Sequence, residues 1–292
     1  MLNKPRFGPA GIPDWFKMLK EPTSNLPKFL KEEGLDALEY EAVRWGQEPQ
    51  INREEAEKLG ENAEKHDVWL TIHGSYYINL LSGKEVLEAS RKRLAACATA
   101  AKWMKAHTIT FHLGYYSQKQ SHEKDLQNCM KVLKEIVEEM QHRGLEANLG
   151  PETSGKHAQL GSLEEILTIC ENVEQTQPVV DWAHLHARQR GNLRTPNDFL
   201  QVIEKIEKRL GTKAAKNLHC HFSLVEYTFR GERRHHPLET PGYGPKIEAL
   251  AEVIANRGLT PVVISESPLL DEDAKKMRDV VYRKLVDLTI LR

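Results

Sequence analysis

Charge of one sign, paired cysteines, long apolar runs and glycine-rich phosphate loops are all missing from this chain, and each absence removes a class of function. Lys and Arg number 41 against 42 Asp and Glu, a formal net charge of −1. That balance gives no global pull toward nucleic acid or a membrane surface, so any polyanion site must be a local patch. The four cysteines, Cys97, Cys129, Cys170 and Cys220, form no C-x-x-C pair and read as reduced core thiols. No stretch approaches the roughly 20 apolar residues of a membrane span. Met1-Leu2-Asn3-Lys4-Pro5 lacks the apolar region of a signal peptide. A cytoplasmic protein without a membrane partner is the expectation. Neither G-x-G-x-x-G nor G-x-x-x-x-G-K-[ST] occurs, which argues against an open nucleotide-binding sheet.

What is present is an alternation. With 40% hydrophobic and 28% charged residues in 292, the chain has ample core for a soluble globular protein. Arg6-Phe7-Gly8 and Leu38 to Val43 read as the first two strands. Six further short apolar runs follow, each separated from the next by a helical pattern. Asn52, with Glu55 three residues on, and Ser162, with Glu165, carry the signature in which a cap oxygen and a returning carboxylate satisfy helix-end amides. Thr195-Pro196 places a proline at the first position of another helix. Eight strands alternating with helices imply an α/β fold with a parallel sheet, closed as a single (β/α)8 TIM barrel over residues 1–292.

The six later runs all end in ligand-type side chains. Val68 to Ile72 runs into His73, Thr108 to Phe111 into His112, and Ala147 to Pro151 into Glu152. Pro178-Val179-Val180 ends in Asp181, with His184 three positions on. Asn217-Leu218 ends in His219, and Pro261 to Ser265 in Glu266. A buried strand has no use for such groups unless they are paired or bound to a cation, because each costs several kcal/mol to desolvate. Barrel enzymes build their sites at the carboxyl ends of the strands, so the set converges on one bowl. Imidazoles and carboxylates without thiolates suit zinc, manganese or iron, and a carboxylate can bridge two cations. Within a strand His219 and His221 share a face, while Cys220 points to the helices. His184 and His186 lie past their strand, where facing cannot be read. Residues 231–236, Gly-Glu-Arg-Arg-His-His, read as a loop carrying either solvated charge or a further metal lobe.

These residues carry a resemblance. Ile72 to Leu80, Ile-His-Gly-Ser-Tyr-Tyr-Ile-Asn-Leu, resembles the His-Ala-Pro-Tyr-Leu-Ile-Asn-Leu motif of the endonuclease IV family, zinc-dependent apurinic/apyrimidinic endonucleases built on a barrel. Phe111-His112-Leu113-Gly114 resembles its His-Pro-Gly, and Pro151 to Gly155 its Glu-Asn-Thr-Ala-Gly. Asp181 to His184 resembles its Asp-Thr-Cys-His, and Glu266-Ser267-Pro268 its Glu-Thr-Pro. The resemblance spans nearly the whole chain. It implies a monomeric hydrolase of DNA repair that cuts the phosphodiester 5′ to an abasic site. Three Zn2+ ions are implied, with Mn2+ or Fe2+ as alternatives.

Carried over by residue, Glu152 bridges two ions. His73 and His112 complete the first set, and Asp181, His219 and Glu266 the second. His184 belongs to the third, with the loop after the seventh strand. Glu152 or Glu266 orients the attacking water. Tyr76 and Tyr77 match the family's residues that insert at the lesion. The third set departs from the pattern, since the family has Asp-x-His where this chain offers Glu232, His235 and His236. His235 is favoured with Glu232, because it gives the shorter chelate and Pro237 restrains His236. Arg44, Arg188, Arg190 and the arginines of residues 230–234 are expected at the rim, in contact with DNA. The rival reading is a metal-dependent sugar isomerase or epimerase of the xylose isomerase-like superfamily, favoured by the near-neutral charge and by Arg44-Trp45-Gly46-Gln47 replacing the family's second-strand loop.

Overall fold

The computed structural model describes residues 2–290; residues 1, 291 and 292, the outer ends of the expected 1–292 domain, lie outside the described residues. In chain order the elements are β1 (Arg6–Pro9), α1 (Asp14–Leu19), α2 (Leu26–Glu32), β2 (Ala37–Glu41), α3 (Arg53–Lys65), β3 (Trp69–His73), α4 (Lys84–Met104), β4 (Thr108–Phe111), α5 (His122–His142) and β5 (Asn148–Pro151). They continue with α6 (Leu163–Asn172), β6 (Val179–Asp181), α7 (Trp182–Arg188), α8 (Pro196–Leu210), α9 (Thr212–Lys216), β7 (His219–Phe222), β8 (Leu224–Thr228), β9 (Gly231–His236), α10 (Ile247–Arg257), β10 (Val262–Ser265) and α11 (Leu270–Ile290).

Two parallel four-stranded groups, β1-β10-β7-β6 and β2-β3-β4-β5, make the wall. Bridges between Ala10 and Glu39 and between Glu152 and Val179 join the groups on both sides, closing a (β/α)8 barrel. Side-chain alternation divides the core in two. Outward residues such as Leu38, Leu70, Ile109, Leu149, Val180 and Val263 pack with the helices in one large apolar cluster. Each such burial is worth about 1.5–3 kcal/mol. Inward residues form a separate, small apolar cluster of Leu2, Ala37, Val262 and Ile264. The rest of the interior is polar, with Glu39, Thr71, Thr110, Glu152, Asp181, His219 and His221 all buried.

Caps fix several helix starts. Asn52 accepts from the Glu55 amide at the start of α3, but the Glu55 carboxylate does not return to the cap as expected. It accepts from the Ser24 amide at 2.8 Å instead, tying α3 to the turn before α2. Ser162 and Glu165 form the full reciprocal box at α6. Residues 231–236, expected as a loop, are β9, the second strand of an antiparallel hairpin with β8. Charge masks this strand in the sequence, and its apolar partner Leu224-Val225 supplies the buried side.

Candidate metal centre

The strand ends set the height of every ligand-type group. His73 is the last residue of β3 and Asp181 the last of β6, while His112, Glu152 and Glu266 each follow their strand by one residue. The strands of a barrel are tilted and staggered, so all five emerge around its mouth although they do not pair in one register. The bowl above them encloses about 600 Å3 and is lined in part by His112, His184, Glu232, His235 and Glu266.

Glu152 is the hub, fully buried. Its Oε2 lies 3.5 Å from His73 Nε2 and 3.4 Å from His112 Nδ1. Its Oε1 lies 3.0 Å from His221 Nδ1 and 3.5 Å from His184 Nδ1. His221 Nδ1 is also 3.1 Å from Glu266 Oε1. Among the described residues five groups of ligand atoms lie close enough to share an ion: His73, His112 and Glu152; Glu152, Asp181, His221 and Glu266; Asp181, His184, His235 and Glu266; and, deeper in the barrel, Glu39, His219 and His221, and Glu39, His73 and Glu266. Glu232 Oε2 stands 3.2 Å from His184 Nε2, and its Oε1 stands 3.7 Å from His235 Nε2, so Glu232 joins the outermost group.

Backbone carbonyls select the ring nitrogens, because a carbonyl can only accept. His73 Nδ1 donates to the Gly74 carbonyl at 2.9 Å, which turns Nε2 toward Glu152. His184 Nδ1 donates to the Thr153 carbonyl at 2.8 Å, which leaves Nε2 bare toward Glu232. Holding a histidine by its second nitrogen is how proteins orient a metal ligand.

Hydrogen bonding within the chain does not satisfy this cluster. Glu152 Oε2, Asp181 Oδ2 and His112 Nδ1 are buried with no hydrogen-bond partner. An unmet buried group costs about 1–3 kcal/mol, more when charged. The electrostatics are equally divided. Burial pushes Asp181 up to about 7 against the pull of His184, and burial drives His112 down to about 4. Burial also opposes charge on His73, yet Glu152, Glu41 and Glu39 hold it up to about 10. Glu266 works against its burial and is held well below the usual carboxylate range by His221. Divalent cations between these atoms would satisfy the orphaned donors, and the all-N/O set fits zinc, manganese or iron.

Residues 27–284 match the xylose isomerase-like TIM barrel family. The chain belongs to that family. It is 33% identical over 275 residues, 92% of this chain and 93% of the other, to an uncharacterised protein of Methanocaldococcus jannaschii. The fold is also that of endonuclease IV from Thermus thermophilus, with TM-score 0.68 and 18% identity over 91% of this chain and 94% of that one. A D-tagatose 3-epimerase-like protein matches with TM-score 0.65 and 19% identity over 90% of this chain and 92% of that one.

Several expected site residues are brought together and others are not. His219, expected in the second set, is not grouped with Glu152, Asp181 and Glu266; it lies two residues before His221, in a deeper group with Glu39. It opens β7, level with Val179 and Val262, where its Nε2 donates to Glu39 Oε2 at 3.0 Å. His221, level with Asp181, takes that place instead. On β9, His235 turns inward, with its ring centroid 5.3 Å from that of His184. His236 turns outward and stacks on Tyr243 at 4.2 Å. A β-bulge explains how Glu232 and His235 share a face at a spacing of three. Tyr227 pairs with Glu232 and Glu226 with Arg234, so Arg233 is the extra residue that resets the alternation.

Tyr76 overhangs the bowl, 5.5 Å from the His73 ring and 6.5 Å from that of His112. Tyr77 turns aside to lie under the Arg93 guanidinium at 5.6 Å. Arg44 is exposed but does not line the bowl. Arg188 is committed elsewhere, donating to the carbonyls of Ser154, Lys156 and Gln159 at 3.2, 2.8 and 3.1 Å. Two carboxylates in the interior went unread in the sequence. Glu39 lies beneath the cluster. Glu41 borders the bowl, and its burial raises it to about 8. Their alternation with Leu38 and Tyr40 marks a face, but in a closed barrel the polar face is the inner one.

Proposed function

We propose that this family member is a metal-dependent endonuclease that hydrolyses the phosphodiester 5′ to an abasic site in DNA, with three zinc ions and a monomeric chain. The observation that carries this reading is the outermost group, Asp181, His184, His235 and Glu266, with Glu232 in contact with both of its histidines, beside the pair of sets joined by Glu152. A sugar isomerase or epimerase needs one or two ions, whereas a phosphodiester with its flanking phosphates gives a third set something to clamp. Divalent ions held there would supply positive charge opposite the phosphate and would acidify water.

The chain's own groups do the rest. Glu152 holds the two inner sets at a common distance, and Glu266, at the lip of the bowl, accepts a hydrogen bond from the attacking water and orients it. Tyr76, exposed above His73 and His112, offers a ring face to a base beside the lesion, where stacking offsets part of the unstacking cost. The exposed Lys156, which borders the bowl, offers a phosphate contact.

The epimerase reading keeps one specific support, the absence of Arg44 and Arg188 from the bowl's lining. Elemental analysis of the purified protein, read beside cleavage of an abasic duplex and turnover of ketohexoses, separates the two. About three ions per chain with duplex nicking is the expected result. One or two ions with sugar turnover would overturn it.

A further inference from the structure

Directly beneath the metal cluster, Glu39 accepts three hydrogen bonds on one oxygen. Thr71 Oγ1 donates to Oε2 at 2.8 Å, Thr110 Oγ1 at 2.9 Å and His219 Nε2 at 3.0 Å. The three donors come from β3, β4 and β7, so the carboxylate of β2 is held by strands from both halves of the barrel. Its other oxygen, Oε1, and His221 Nε2 are both buried without a hydrogen-bond partner, and they face each other at 2.9 Å without the alignment of a hydrogen bond. The opposite nitrogen of that ring faces Glu152 and Glu266 at 3.0 and 3.1 Å. Burial opposes charge on Glu39, yet His221 and His219 hold it well below the usual carboxylate range.

We propose that Glu39 is a positioning residue for the second metal set, using its free oxygen to hold the proton on His221 Nε2 so that Nδ1 is the bare, ion-facing nitrogen. This rests on the metal reading given above. An imidazole has one proton to place when neutral, and a fixed anionic acceptor on one side decides where it goes. The ring is fully buried, so no water competes for that proton. Thr71, Thr110 and His219 then have a purpose that their positions below the bowl do not otherwise explain: they anchor the acceptor.

The test compares wild type, Glu39→Ala and Glu39→Gln, with zinc affinity measured by chelator competition and imidazole nitrogens observed by NMR in the zinc-loaded protein. In wild type, His221 should show a protected Nε2 proton and a zinc-shifted Nδ1. Glu39→Ala should lose that proton signal and weaken one zinc equivalent by roughly 10–100-fold while leaving the others unchanged. Glu39→Gln, which keeps an oxygen acceptor at nearly the same volume, should retain the proton signal and fall between the two; it also serves if the alanine variant does not fold. A lower melting temperature with all zinc equivalents and the His221 signals unchanged would make Glu39 merely structural and overturn the proposal. Zinc bound in wild type through His221 Nε2 would overturn it too. A wild-type protein that binds no zinc, manganese or iron would instead sink the metal reading itself, and this proposal with it.

Discussion

The bowl at the carboxyl ends of the strands encloses about 600 Å3, and a second cavity at their amino ends encloses about 640 Å3. The floor cavity is bordered by the first residues of several strands, Trp69, Thr108, Asn148, His219 and Val262, with Lys102, Lys105 and Lys213 at its rim. Size does not separate them. At the floor, side chains pair with one another, as where the Asn148 amide donates to Gln177 Oε1 at 3.3 Å and the Gln177 amide to Thr108 Oγ1 at 2.6 Å, and His219 Nδ1 is the exception. At the bowl, Glu41 Oε1, His112 Nδ1, Glu152 Oε2 and Asp181 Oδ2, carried by or just past four different strands, are buried together and find no partner within the chain. A site is recognised by convergent groups with unmet demands rather than by concavity, and the direction of a parallel barrel decides which end collects them.

The comparison breaks most visibly at Glu152. Glu152→Gln should cost two of three metal equivalents and lower cleavage by on the order of 10³-fold, the scale set by losing a principal electrostatic group. Circular dichroism should show the barrel intact. Lys213→Ala at the floor should change cleavage by a factor of about 2 or less, the range of ordinary surface substitutions. An equal loss at both ends would erase the distinction.

A sharper cut runs through one strand. His221→Ala should lose one metal equivalent and roughly 10–100-fold in metal affinity or activity. His219→Ala should keep every equivalent and instead cost about 1–3 kcal/mol of stability in a denaturant melt, because it strips one donor from the buried Glu39 carboxylate. The hairpin makes a parallel pair. His235→Ala should remove the outermost equivalent, whereas His236→Ala, which loses its stack on Tyr243 and its 3.5 Å contact with Glu226, should stay within a factor of about 2.

Protons offer a further test. In the metal-free protein Glu152, Glu41 and Glu39 overcome burial to hold His73 at about 10, above its ordinary value, so the ring carries a proton at neutral pH. Zinc must displace that proton. Uptake should therefore release acid into a weakly buffered solution, and apparent affinity should fall as pH falls. The smallest effect expected is at the rim. Lys156→Ala should lower the salt dependence of binding to an abasic duplex by about one counterion.

Much of this was legible in the sequence, for reasons that also mark where reading stops. Short β-branched runs ending in His, Glu or Asp announced the strands, and Ser162 with Glu165 announced a helix start, because these signals are local. His73, His112, Glu152, Asp181 and Glu266 could be picked because each sits at or just past a strand's end. His219 was picked over His221 because the apolar run Asn217-Leu218 looks like the end of a strand, when it precedes one; only the pairing of β7 with β6 and β10 sets the height. Glu39 was missed because alternation shows two faces without saying which is inside. The bulge at Arg233 is a property of two strands together, invisible in either alone.

The outer group differs from the inner ones in what carries it. Glu232 and His235 both ride on β9, which meets the barrel through the Glu232 amide on the Gly155 carbonyl at 3.1 Å and a bridge from Gly231 to Lys156. A Cβ at Gly155 would meet that of Glu232 at 2.6 Å, and one at Gly231, whose φ is +103°, would meet the Gly155 carbonyl oxygen at 2.1 Å. Two bare backbones pressed together form a latch, and a latch can open while the barrel stays shut. Ions should therefore leave in a fixed sequence, the hairpin's first and the Glu152 pair only with global unfolding. Amide exchange in β9 should quicken at the first departure, well before any strand of the wall gives up its protons.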